Sequence, residues 1–304
     1  MRSLCILFAL ICLHALAVTS RAGDSTPPRI ISLYAAHTEV LLRLGARDAI
    51  IGVSRQESYD GPETVDWNPP TFSIRDDVEK FLAAKPDLIL ARPQHLAAAG
   101  RLSAMLERMG VRFVSLQVTR ADELYDYWRT LAGFVGKEAE AERMIEAFDG
   151  EIGRYGAAAE SFAPKPGVFL EAIHKEVKTF VPESIPAWLV RVAGGVYIAD
   201  DAVPTTPGVI IADYGPERLL ERADGIDVFV AQEGAMNRTP IETIRKRTVY
   251  QPLAAFKSGR VCKVPEAILS RPTPSLLDGA AILAGHTGLA EHMKTRPRDE
   301  GRAQ

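Results

Sequence analysis

The sequence predicts an α/β protein of two lobes built on parallel sheets, and three observations carry that prediction. Short apolar runs alternate with helical patterns in two successive sets, as parallel strands with crossover helices require. A proline-free stretch rich in Glu and Ala separates the two sets near mid-chain. The length, 304 residues, is too great for one small core and suits two modest domains.

In the first set the strand-like runs are Ile30–Leu33, Ala49–Val53, Leu88–Ala91 and Phe113–Leu116. After the first run, Thr38 and Glu39 read as the cap and first-turn acid of a helix. A helix from Val78 should stop at Pro86, because the residue before a proline is pushed out of helical dihedrals. The wholly apolar Leu88–Ala91 that follows is the pattern of a strand buried on both faces. Next, Lys137 to Phe162 places Ala141, Met144, Ile145, Phe148, Ile152 and Tyr155 on one stripe, which predicts a single long helix. It is either an ordinary crossover inside one domain or a strut between two; its place between two α/β sets favours the strut. The second set runs through Gly167–Ala172, Val228–Ala231 and Gly259–Val264. Gly194-Gly195 follow a helical run and not a strand, so they read as a helix end rather than a phosphate cradle. Cys262, in an alternating strand, reads as a small packed hydrophobe.

Composition excludes several classes. A formal charge of -3 argues against a nucleic-acid partner. The N-terminus has the plan of a secretory signal, with Arg2, an apolar Leu4 to Val18, and Ser20-Arg21-Ala22 before Gly23. That run is too short for a comfortable membrane span. Ile11 before Cys12, and a Cys5 so near the start, do not fit a lipoprotein signal, so a released periplasmic protein without a lipid anchor is expected. Cleavage there would remove Arg2 and Arg21 and no acid, taking the charge from -3 to -5. It would leave Cys262 as the one cysteine, so no internal disulfide is expected. The expected organisation is a signal at 1–22, an N-terminal lobe at 23–136, a connecting helix at 137–162, a C-terminal lobe at 163–292 and a polar tail at 293–304. There is no GxSxG elbow, phosphate-binding loop or HExxH helix, and the protein is not expected to be an enzyme.

The stretches Arg29–Leu42, Val78–Ala91, Leu189–Asp200, Glu217–Val230 and Arg271–Gly279, in this order and spacing, resemble a known family. It is that of class III periplasmic substrate-binding proteins, which capture metal chelates such as ferric siderophores, vitamin B12 and haem for ABC importers. The resemblance covers roughly Arg29 to Glu291. It implies two Rossmann-like lobes joined by one long helix, a ligand cleft between them, and a monomer with no intrinsic cofactor. The partners it implies are a small-molecule chelate and the membrane subunits of an ABC importer. Glu79 and Glu217, each opening a helix before an apolar strand, match the family's transporter-docking glutamates. Both are also first-turn acids, which the helix dipole favours by about 0.3–1 kcal/mol each. A rival is a periplasmic metal-binding protein, metallochaperone or enzyme on the same fold.

Ligands of open α/β sheets bind outside the carboxyl ends of the strands. That rule nominates Tyr34, His37, Arg55, Tyr59, Arg92 and His95 in the first set, and the resemblance adds Trp67 and Arg75. In the second set it nominates His174, Lys178, Phe180, Glu233, Met236, Arg238 and Arg271. Guanidinium forks suit carboxylate, phosphate or catecholate oxygens, and aromatic faces suit a flat or greasy chelate. The bias ranks a ferric siderophore-like ligand first, a corrinoid second and haem third; the His174 loop departs from the B12 binders. No local pair of metal ligands is spaced in the sequence, and His174 is the histidine most suited to touch a metal.

Overall fold

The structure is a computed structural model that describes residues 26–55, 66–206, 208–235 and 237–295. The expected signal at 1–22, the nominated residues Tyr59 and Met236, and residues 296–304 of the expected tail lie outside the described residues.

Five strands form the first sheet: β1 (Ile30–Ser32), β2 (Ile50–Ser54), β3 (Thr71–Phe72), β4 (Leu88–Ala91) and β5 (Arg112–Ser115). Their order is β3-β2-β1-β4-β5 and every pairing is parallel. The second sheet contains β6 (Gly167–Glu171), β8 (Val196–Tyr197), β10 (Val228–Glu233) and β11 (Val261–Pro265), ordered β11-β10-β6-β8, again all parallel. Beside it β7 (Lys178–Phe180) and β9 (Ile211–Asp213) make a small antiparallel pair that the apolar pattern did not reveal. The apolar centres of the longer strands explain the parallel arrangement: β4 and β6 are buried throughout, which needs helices on both faces.

The first helix, Ala35–Arg43, begins four residues earlier than expected, with extended Tyr34 as its N-cap. Ala35 and Ala36 are strong helix formers and carry the start upstream. Thr38 therefore lies inside the helix and is no cap; its buried hydroxyl donates to Ser32 Oγ at 2.7 Å. Helix Val78–Ala84 stops ahead of Pro86 as expected, with Lys85 left-handed at φ 49°. The Arg29 side chain donates to the carbonyls of Ala84 and Lys85 at that end.

The long helix is present as Glu138–Glu160, 23 residues without interruption, burying Ala141, Ile145, Phe148, Ala158 and Ala159. Helix Ile185–Val192 is capped by the Ser184 hydroxyl, which accepts from Ala187 N. Gly194, at φ 79°, turns the chain out of it, with Phe162 and Leu289 close enough that a Cβ would crowd them. The last two helices are Leu276–Thr287 and Leu289–Thr295; the second runs through Met293, which packs against the core where a free tail was expected.

The lobes meet at several points besides the long helix. Ile185 N donates to Thr119 O at 3.0 Å, beside the Arg120–Ser184 bridge. Trp128 Nε1 donates to Pro272 O at 2.9 Å. Ser275 donates to Glu39 and accepts from Arg43 at 3.0 Å. One apolar cluster accordingly runs from Ile30 through Trp128 and Phe148 to Leu289.

Candidate ligand cavities at the strand ends

Two cavities open at the carboxyl ends of the two parallel sheets. The first, of about 270 Å³, is bounded by Leu33, Ser54, Phe72, Ser73, Arg75, Arg92 and His95, which follow or end β1 to β4. Arg92 lies over the Tyr34 ring with its guanidinium carbon 4.4 Å from the centroid. His95 Nδ1 accepts from Arg92 N at 3.4 Å, and partial burial together with the Arg92 charge lowers its pKa, so the imidazole is neutral at pH 7. Arg75 is exposed, and among the described residues its guanidinium has no hydrogen-bond or ion-pair partner.

The second cavity, of about 490 Å³, is lined by Ile173, His174, Lys175, Glu176, Asn237, Arg238 and Thr239, from the loops after β6 and β10. His174 sits on a tight turn closed by Ala172 N to Lys178 O at 2.8 Å. Val177 in that turn is buried and β-branched yet held at φ 50°, a strained conformation for such a residue. His174 is only 8% exposed, and its Nδ1 lies 3.1 Å from both carboxylate oxygens of Glu171, which is fully buried at the end of β6. Tyr250 donates to the same carboxylate and accepts from Arg247 at 2.8 Å. Burial and the adjacent Glu171 charge raise the Tyr250 phenol far above its usual range, so it stays a donor. Arg247 also donates to the His174 carbonyl. Asn237 is 2% exposed, and among the described residues both its amide atoms lack hydrogen-bond partners.

Several nominated residues stand elsewhere. His37 is 0% exposed, with Nε2 on Leu116 O at 3.0 Å, so it packs in the first lobe and not at a cavity wall. Tyr34 is nearly buried and edge-on to it, serving as the platform beneath Arg92. Phe180, 1% exposed, points into the core because strand alternation turns it inward. Lys178 is held between Glu176 at 2.7 Å and Asp213 at 3.2 Å. Arg55 is committed to Asp76, which Lys80 also pairs, and Glu233 to Lys263. Trp67 packs against the core. Arg271 lies in the turn before the last two helices, with a buried Nε that has no partner among the described residues. Glu171, Tyr250 and Asn237 were not nominated. Their one signal is a carboxylate ending an apolar strand three residues before a histidine.

Glu79 and Glu217 are both exposed in the first turns of their helices. Cys262 is half-buried against the core and burial pushes its thiol up to about 12, which suits a packing role. Among the described residues no helix is long and apolar enough to cross a membrane.

Two lobes of parallel α/β structure, a single long connecting helix and cavities at the strand ends define a substrate-binding architecture. Residues 30–268 match the sequence profile of the periplasmic binding protein family, and the chain belongs to it. A vitamin B12-binding protein of Pectobacterium carotovorum is 28% identical over 261 residues, covering 84% of this chain and 87% of its own length. An uncharacterized ABC transporter substrate-binding lipoprotein of Bacillus subtilis is 22% identical over 262 residues, covering 85% and 79%. Among solved structures, a possible iron-binding (periplasmic solute-binding) protein of Staphylococcus epidermidis superposes with a TM-score of 0.72 at 25% identity, covering 86% of this chain and 99% of that one.

Proposed function

We propose that this protein captures a metal chelate outside the cytoplasm and delivers it to the membrane subunits of an ABC importer. The observation that carries the reading is the make-up of the two strand-end cavities. Each offers a guanidinium with no partner among the described residues, Arg75 in one and Arg238 in the other, together with a histidine. Such cations favour an anionic, oxygen-rich ligand. Among the described residues no three His, Cys, Asp or Glu side chains gather to hold a bare ion, so a metal would arrive inside its own chelator. The exposed Glu79 and Glu217, one on each lobe, supply acidic contacts for a basic transporter surface. No step of this function makes or breaks a covalent bond.

Native mass spectrometry of protein purified from its own host, with its absorbance spectrum, tests the proposal. A bound species with the mass and visible bands of a metal complex is expected. A bound metal-free metabolite, or a bare ion, would refute it.

A further inference from the structure

We propose that the second cavity reads amide groups on the chelator, with His174 fixed by Glu171 as a hydrogen-bond acceptor and Asn237 supplying both an acceptor and donors. The inference rests on the metal-chelate reading and names the chelator's chemistry. The cargo is then a peptide-like or carboxamide-bearing complex, and one whose outer edge carries only carboxylate oxygens is disfavoured.

A carboxylate only accepts hydrogen bonds, and both oxygens of Glu171 lie 3.1 Å from His174 Nδ1, so Nδ1 carries the proton. In the neutral ring the lone pair is then on Nε2, which has no hydrogen-bond partner among the described residues, and the side chain lines the second cavity. The arrangement is held from beneath. Glu171 is wholly buried and Tyr250 donates to its Oε1, while Arg247 donates to the carbonyls of His174 and Lys175. A ligand group that faces Nε2 must therefore be a donor. Lys175 and Arg238, in the same lining, only donate, and they suit the carbonyl of an amide whose N–H meets the imidazole. Asn237 points to the same chemistry independently. It is 2% exposed, its backbone is paired both ways with Gly234, and yet both its carbonyl oxygen and its NH2 group lack partners among the described residues. Buried polar groups left open are costly, and an amide is the simple group that answers another amide on both sides. A carboxylate would answer the NH2 and leave oxygen facing oxygen.

Nitrogen NMR of isotope-labelled histidine rings at pH 8 reads the fixed tautomer without any ligand. The signal that H174A lacks should report Nδ1–H and a bare Nε2 in the parent. In E171Q the new side chain can keep its carbonyl on Tyr250 and turn its NH2 to Nδ1, so the proton should move to Nε2. Binding is then measured by calorimetry with two neutral gadolinium(III) complexes, the bis(methylamide) and the bis(dimethylamide) of diethylenetriaminepentaacetate. They share metal, charge and coordinating groups and differ in whether their amides carry N–H. The parent should favour the N–H complex about tenfold, the cost of leaving one acceptor unpaired. H174A and E171Q should lose that preference and N237L should narrow it. A parent ring protonated on Nε2, or a parent with no preference between the complexes, would overturn the proposal. So would an E171Q variant with a lower melting temperature but the parent's tautomer and preference, which would show a merely structural role. The cargo recovered from the host separates this inference from the reading beneath it. A metal complex whose chelator bears amide N–H groups supports both. A metal complex whose chelator has none sinks this inference alone. A metal-free amide compound sinks metal-chelate capture and leaves the cavity chemistry standing, and a cargo with neither feature sinks both.

Discussion

Acidification should destabilise this protein well above the pH at which carboxylates titrate, and His37 is the main reason. Its ring is wholly buried, and burial lowers its pKa from 6.5 to about 3, opposed only in part by the bond to Leu116 O. That carbonyl accepts from Nε2, so Nδ1 must be the bare nitrogen, and it has no partner among the described residues. The unfolded chain takes up a proton below pH 6.5 while the folded chain refuses it until about pH 3. Stability is therefore complete above pH 6.5 and is lost progressively as pH falls towards 3. Each pH unit in that window costs about 1.4 kcal/mol, so descent from pH 7 to pH 5 costs about 2 kcal/mol through this residue. His95 and His286 are shifted the same way by partial burial beside Arg92 and Arg260, and add smaller amounts. Urea titrations followed by fluorescence of the three tryptophans at pH 7, 6 and 5 would measure the loss. H37Q can still donate to Leu116 O but cannot titrate, so it should be less stable at pH 7 and recover most of the 2 kcal/mol of pH dependence. An unchanged pH slope in H37Q would refute the reasoning.

Three other outcomes are expected. Charge reversal at both Glu79 and Glu217 should abolish uptake in cells and leave chelate affinity in solution unchanged, because both glutamates are exposed and neither lines either cavity; normal uptake by the double variant would remove the docking role. Alanine at Arg75 or Arg238 should weaken an anionic chelate about tenfold or more, since a charge-assisted bond is worth roughly 1.5–3 kcal/mol, and lysine should restore only part because it cannot fork onto two oxygens. Small-angle scattering should give nearly the same radius of gyration with and without ligand, because closure would have to bend the uninterrupted Glu138–Glu160 helix and break the Trp128–Pro272 contact; a large compaction would contradict the strut.

The fold was largely legible in the sequence and the cavity chemistry only in part. Strand runs such as Leu88–Ala91 and the stripe from Ala141 to Tyr155 are visible because a buried strand and an amphipathic helix write their environment into residue order. The strands β3, β7, β8 and β9 are two or three residues long, too short for any period to register. Arginines on loops reached the cavities in three cases, Arg75, Arg92 and Arg238, while Arg55 turned to Asp76 instead, and no local pattern separates the two fates. His37 and His174 look alike in sequence. One is enclosed beneath Tyr34 and the other presented at a rim, because the difference lies in partners 79 and 3 residues away.

The contacts made by residues 272–295 bear on how the chain comes together. Pro272 receives the Trp128 indole, Ser275 ties Glu39 and Arg43, and Leu289 packs on the turn beside Gly194 and on the cluster that spans both sheets. A chain emerging N-terminus first, whether from a ribosome or through a membrane channel, cannot close the first lobe's flank until nearly its last segment has arrived. Premature termination near residue 270 would strand Trp128 and the adjoining face of helix Ala35–Arg43 without their covers. Quality control could then read completeness of synthesis from one exposed apolar seam, and Trp128 emission would report the moment at which that seam disappears.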